Sequence, residues 1–297
     1  MKRVRWRLLA VTAGVALLAA CGGPGPSAKP PGQSPTAVAP AESPSAPLPT
    51  PSPSARLPSP ATRPPSPRAT ATPSPSGAFL PVGLLGTEWS RLPTNSRIVA
   101  LTFDAGSGAQ GLTNILAALK AAGVPGTFFL TGEWVEKYPD GARQIAAVPE
   151  HSIGNHSYDH PYFTTLSAAE MDGELLRTQE IIERATGRNP KPIFRFPYGD
   201  SNATTVAEIN RLGYGSIRWT IDTLGWKGAA TGQSTSTIRS RVLAGLQPGE
   251  IVLMHVGAAE DGSTLDADAL AGMISDLKSR GYGFVAVWDY VEGLVAG

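Results

Sequence analysis

The sequence predicts an α/β fold, a distorted or incomplete (β/α) barrel of about seven strands. Short apolar runs rich in Val, Ile and Phe alternate with helical patterns, which argues for a parallel sheet with helical crossovers. About seven strand and helix units fit within residues 77–297, close to the eight-fold barrel. An open doubly wound sheet is the alternative arrangement of the same units. In chain order, strands are expected over 97–103, 126–130, 152–155, 193–196, 215–221, 250–255 and 284–288. Between the first two, Leu112, Ile115, Leu116 and Leu119 mark an amphipathic helix stopped by Gly123. Ser167 and Glu170 have capping-box spacing at the start of another, whose Met171, Leu175 and Ile182 form a stripe ending near Gly187. Further helices are expected over 204–212, 237–246 and 266–277. Their apolar stripes are read as core.

Upstream of this domain the composition changes twice. Lys2, Arg3, Arg5 and Arg7 precede an apolar run from Leu8 to Ala20, the layout of a secretory signal and too short to span a bilayer. Leu18, Ala19, Ala20, Cys21 and Gly22 resemble a lipobox, so residues 1–21 are expected to be a lipoprotein signal peptide with Cys21 as the lipidation site. Cys21 is the only cysteine, which excludes an intramolecular disulfide. Residues 22–76 are rich in Pro, Ser, Ala and Thr, and 18 of the 28 prolines fall between Pro24 and Ser76. A segment of that composition buries too little surface to fold and is expected to be a disordered linker. Extended as polyproline II at ~3.1 Å per residue it would reach on the order of 150 Å, the scale of a cell wall. The expected location is therefore extracytoplasmic, with a lipid anchor in the bacterial cell membrane. Residues 77–297 carry 17 Lys and Arg against 23 Asp and Glu, a balance of minus 6 that argues against nucleic acid as a partner.

The polar residues that stand out lie at the C-terminal ends of the expected strands, where α/β barrels place their active sites. The first strand ends in Thr102, Phe103, Asp104, Ala105, Gly106, and the third runs into His156 and His160. The fourth ends in Arg195, Phe196, Pro197, Tyr198, Gly199, the fifth in Asp222, Thr223, Leu224, Gly225, Trp226, and the sixth in Leu253, Met254, His255. Two histidines four residues apart beside Pro161 suit a divalent metal, because neutral imidazole is a frequent nitrogen ligand, although the same pair in a loop is equally often a surface hydrogen-bonding turn. Asn155, Asp159 and Asp200 lie close by in sequence as candidate supporting partners.

Together these five motifs resemble the polysaccharide deacetylases of carbohydrate esterase family four, over residues 95–290. The resemblance implies a metal-dependent hydrolase removing N-acetyl groups from an amino-sugar polysaccharide, with peptidoglycan or a chitin-like glycan at the cell envelope as substrate. A catalytically degenerate glycan-binding lipoprotein of the same fold, or an O-acetyl xylan esterase, are the alternatives. It implies His156 and His160 as metal ligands, for zinc, cobalt, nickel or manganese, and Asp104 as the base, held by Arg195. Tyr198, after Pro197, matches the residue whose backbone N–H serves the oxyanion, and His255 matches the general acid. Trp226 and Leu253 match the walls of the acetyl-methyl pocket, and the expected form is a monomer. Two departures stand out. Ala105 replaces the second Asp of the family's first motif, which completes its metal triad, and Gly225 replaces the Asp that orients the catalytic histidine. Asp222 is the expected substitute for the latter.

Overall fold

The computed structural model describes residues 80–296, so the expected signal segment, Cys21 and the proline-rich linker lie outside the described residues. The strands are β1 (Glu88–Trp89), β2 (Ile98–Ala105), β3 (Thr127–Leu130), β4 (Ser152–Asn155), β5 (Ile193–Phe194), β6 (Gly215–Ile217), β7 (Ile221–Asp222), β8 (Glu250–His255) and β9 (Gly283–Phe284). The helices are α1 (Leu112–Ala122), α2 (Gly132–Lys137), α3 (Pro139–Ala146), α4 (Ala168–Thr186), α5 (Ala203–Arg211), α6 (Thr235–Ala244), α7 (Leu265–Ser279) and α8 (Val287–Ala296).

The sheet runs β1-β6-β5-β4-β3-β2-β8-β7, with β9 on β2, and every strand pair is parallel. It is a curled half-barrel surrounded by helices, the incomplete barrel the sequence predicts. An isolated antiparallel bridge between Arg91 and Glu250 links the segment after β1 to the start of β8.

Alternation along β2 separates two of the three core clusters found among the described residues. Val99, Leu101, Phe103 and Ala105 pack outward with Ile115 and Leu119 of α1 and Leu270 and Met273 of α7. Ala100 packs on the other face with Phe129, Ile193, Ile217 and Ile251. Asp104 shares the phase of Ala100, which directs it to the barrel interior at the C-terminal end. Curvature requires close contact at β4: a Cβ on Gly154 would lie 2.6 Å from the Phe129 ring, so only glycine lets these strands approach.

Helix ends follow the sequence signals. Gly123 and Gly187 adopt left-handed caps after α1 and α4, and Ser167 with Glu170 forms a complete capping box. Two expected strands are corrected. The run 215–221 splits into β6, paired with β5 and β1, and β7, paired with β8, so its two ends serve opposite parts of the sheet. The run 284–288 is strand only at Gly283–Phe284, because Thr127 Oγ1 and Ser152 Oγ accept the backbone N–H groups of Val287 and Trp288 and start α8 there. With β1, the described residues form nine strands where about seven are expected.

Glu250 opens β8 fully buried; among the described residues its Oε1 is unpartnered and its Oε2 accepts only the Gln247 N–H, at 3.2 Å. Burial pushes its carboxyl up to about 7 from 4.5. The folded state therefore holds a proton that the unfolded chain releases, and stability falls as pH rises from 4.5 through about 7. Glu250→Gln is expected to raise stability by about 2 kcal/mol at pH 8 and by little at pH 5. Urea melts at the two pH values test this, and equal gains at both would refute the assignment.

Candidate active site

Five strand ends converge on a cavity of ≈ 440 Å³ lined by Asp104, His160, Tyr198, Trp226, Leu253 and His255 among others. Arg195 lies behind it, fully buried between three acceptors. Its Nη1 donates to Asp104 Oδ1 at 2.7 Å, its Nε to the Ile217 carbonyl at 3.1 Å and its Nη2 to the Arg218 carbonyl at 2.9 Å. Those carbonyls become available where the chain leaves β6 before β7. The guanidinium also stacks 4.2 Å above the Phe129 ring. Burial alone would raise the Asp104 carboxyl, but Arg195, His156 and His255 outweigh it and hold the group below the usual carboxylate range.

The loop after β4 carries the histidine pair. Asn155 Oδ1 accepts the Ser157 N–H at 2.9 Å, and its Nδ2 donates to the Leu175 carbonyl of α4 and to the Tyr214 hydroxyl. Glu174 Oε2 accepts the N–H groups of Tyr158 and Asp159, and Ser157 Oγ accepts that of His160. Ser157 and His160 adopt left-handed φ of 68° and 66°, so this turn is held by its neighbours against its own preference. Asn155 thus supports the pair. Asp159 engages through its backbone, and Asp200 accepts from Thr164 instead.

His156 Nδ1 lies 2.8 Å from the Arg195 carbonyl, which can only accept, so that nitrogen carries the proton. Its Nε2 lone pair then faces Asp104 Oδ2 at 3.4 Å. Burial lowers the His156 pKa despite Asp104, and burial with His156 lowers His160 to about 4, so both rings are neutral near pH 7. Two lone-pair atoms facing at this range repel unless a cation lies against them, and this donor chemistry suits a divalent metal. Ala105 brings no donor; its methyl packs fully buried against the outer core. Among the described residues, no three His, Cys, Asp or Glu side chains group as a metal site.

Across the cavity, burial would lower His255, but Asp266, Asp104 and Asp222 outweigh it and raise its pKa. Asp222, expected to orient this ring, instead accepts the Leu224 N–H at 2.8 Å and the Trp226 Nε1–H at 3.1 Å. The carboxylate 3.8 Å from His255 Nδ1 belongs to Asp266, at the start of α7. Pro197 is buried in the turn that gives Tyr198 its left-handed φ of 57°. That turn uses the N–H groups of Gly199 and Asp200, not that of Tyr198. Trp226 stands half exposed beside His255, and Leu253 is buried on the cavity floor. Sequence reasoning missed Ser107 and Glu260 and gave no role to Phe196 and Trp219 of the strand-end motifs, all of which also line the cavity. It also missed Asp266, whose only signal is the glycine at position 225.

Comparison with known proteins gives consistent relatives. The family model for polysaccharide deacetylase matches residues 91–217. A peptidoglycan-N-acetylglucosamine deacetylase from Bacillus cereus is 37% identical over 197 residues, spanning 66% of this chain and 68% of its own. A peptidoglycan-N-acetylglucosamine deacetylase, PgdA, from Listeria monocytogenes is 36% identical over 220 residues, 74% of this chain but only 44% of its own. Among solved structures, a family 4 carbohydrate esterase pseudoenzyme from Bacillus anthracis superposes with a TM-score of 0.63 at 32% identity, covering 69% of each chain. A mutant of that pseudoenzyme with restored enzymatic activity also has a TM-score of 0.63, at 33% identity.

Proposed function

The chain belongs to the polysaccharide deacetylase family, and on that premise we propose that it hydrolyses N-acetyl groups from the amino sugars of peptidoglycan. The observation that carries this reading is the buried Asp104–Arg195 pair aimed into the cavity, with two neutral histidines beside it and His255 opposite. Two relatives named as peptidoglycan-N-acetylglucosamine deacetylases, and one named as a peptidoglycan-N-acetylmuramic acid deacetylase, support the substrate class.

Amide hydrolysis needs a base for the water, charge stabilisation for the oxyanion and an acid for the poor amine leaving group. Asp104, kept ionised by Arg195, takes a proton from water as the oxygen attacks the acetyl carbon. The Tyr198 N–H donates to the oxyanion. His255 then protonates the departing nitrogen, releasing acetate and a free amine. Leu253 and Trp226 wall the methyl group. His156 and His160 would hold the divalent ion, zinc being the first choice and cobalt, nickel or manganese the others; such an ion polarises the acetyl carbonyl as a Lewis acid.

Both pKa directions widen the working range. Asp104 must be deprotonated and its value is lowered; His255 must be protonated and its value is raised. Activity is expected to extend above the ordinary imidazole value of 6.5 before falling on the basic side. Acetate release from acetylated peptidoglycan, chitin oligomers and xylan, with each metal added back across this pH range, tests substrate, metal and activity together. Release from xylan alone would favour an O-acetyl esterase.

A second reading, a glycan-binding protein without turnover, is favoured by Ala105 and by the likeness to a pseudoenzyme. Absence of acetate release, with glycan still bound, would establish it. The sequence also supports a lipid anchor at Cys21 and a position outside the cytoplasm, which the mass of the membrane-extracted protein would test.

A further inference from the structure

We infer that Asp266 is the positioning residue for His255, supplying from α7 the carboxylate that the family's usual pattern places immediately before Trp226. The inference rests on the deacetylase reading above and goes beyond it by assigning a residue outside every recognised motif.

Asp266 is 3% exposed, in the first turn of a 15-residue helix. Carboxylates are rarely buried this deeply without partners. Its Oδ1 accepts the Thr223 hydroxyl at 2.6 Å, and its Oδ2 accepts the backbone N–H of His255 at 2.9 Å. The same Oδ2 lies 3.8 Å from His255 Nδ1, a buried nitrogen with no hydrogen-bond partner among the described residues. One acceptor therefore grips the backbone of His255 and stands beside its unsatisfied ring nitrogen. A small ring rotation closes the gap, as catalytic hydrogen bonds commonly do when substrate arrives. With Nδ1–H given to Asp266, Nε2 is left to exchange the proton with substrate, the orienting logic of carboxylate and histidine pairs.

Gly225 accounts for the relocation. A Cβ built at this position would collide with Asp266 Oδ1 and Cγ. The Asp266 carboxylate therefore fills the volume that a side chain at 225 would enter, so glycine here and aspartate at 266 form a single arrangement. Among the described residues Asp222 bonds to the Leu224 N–H and the Trp226 Nε1–H, and its contacts do not include the His255 ring.

The test uses the full chain and acetylated peptidoglycan fragments. Asp266→Asn is expected to lower kcat by about 10- to 100-fold with KM unchanged. Moving the carboxylate back, Gly225→Asp with Asp266→Ala, is expected to recover at least about tenfold in kcat over Asp266→Ala alone. A folded Asp266→Asn chain with wild-type kcat, or one altered only in KM, overturns the inference. Should Asp266→Asn fail to fold, the relocated variant decides: folded and active supports the assignment, folded and inactive refutes it. A wild-type chain without turnover refutes the deacetylase reading alone. The 15N shifts of the His255 ring then settle Asp266, with Nδ1 protonated in the wild type and no longer preferred in Asp266→Asn if it positions the ring, and the same tautomer in both if it does not.

Discussion

Asp104→Asn is expected to reduce acetate release by about 10²- to 10⁴-fold, the usual worth of a positioned general base. The amide oxygen can still accept from Arg195 Nη1, so the buried guanidinium keeps a partner and the domain is expected to stay folded. What is lost is basicity. Divalent ion content of the variant adds the second half of the test. Retained metal with lost turnover assigns Asp104 to the water, whereas lost metal makes Oδ2, 3.4 Å from His156 Nε2, a ligand. That alternative has force because Ala105 contributes no donor, and Asp104 is the carboxylate that His156 faces. Near-wild-type rates with metal intact would remove Asp104 from the mechanism.

The strand ends carrying Asp104, His156, Arg195 and His255 were legible because parallel sheets write their strands as apolar runs and end them in polar residues. The capping box at Ser167 and the glycine stop at Gly123 were legible because each is made by residues next to one another in the chain. What escaped depends on distant partners. α2 begins where Thr131 Oγ1 accepts the Trp134 N–H, and the six-residue helix is too short to show periodicity. α8 starts on hydroxyls from Thr127 and Ser152, more than 130 residues upstream. The break between β6 and β7 looks like one apolar run, yet it exposes the Ile217 and Arg218 carbonyls that hold Arg195. Asp266 is the instructive case: Gly225 announced a missing carboxylate, but only folding brings α7 against that glycine.

Arg195→Met is expected to cost about 3 to 5 kcal/mol, a large part of the 5 to 15 kcal/mol that holds a typical domain together. The cost comes from what remains. Asp104 would be left buried beside an apolar chain without its cation, and the Ile217 and Arg218 carbonyls would lose their donors in a space that admits little water. Arg195→Lys is expected to be nearly as harmful, because one ammonium cannot reproduce a fork that meets three acceptors, on β2, at the end of β6 and just after it. The double variant Asp104→Leu with Arg195→Met separates stability from chemistry. Replacing both charges with apolar groups removes the buried ions together, so urea melts are expected to show recovery of most of the lost stability while acetate release stays abolished. A double variant as unstable as Arg195→Met alone would mean that the orphaned carbonyls, and not the stranded carboxylate, set the cost. The buried pair would then be a brace for the β6 to β7 break first and a tuner of the base second.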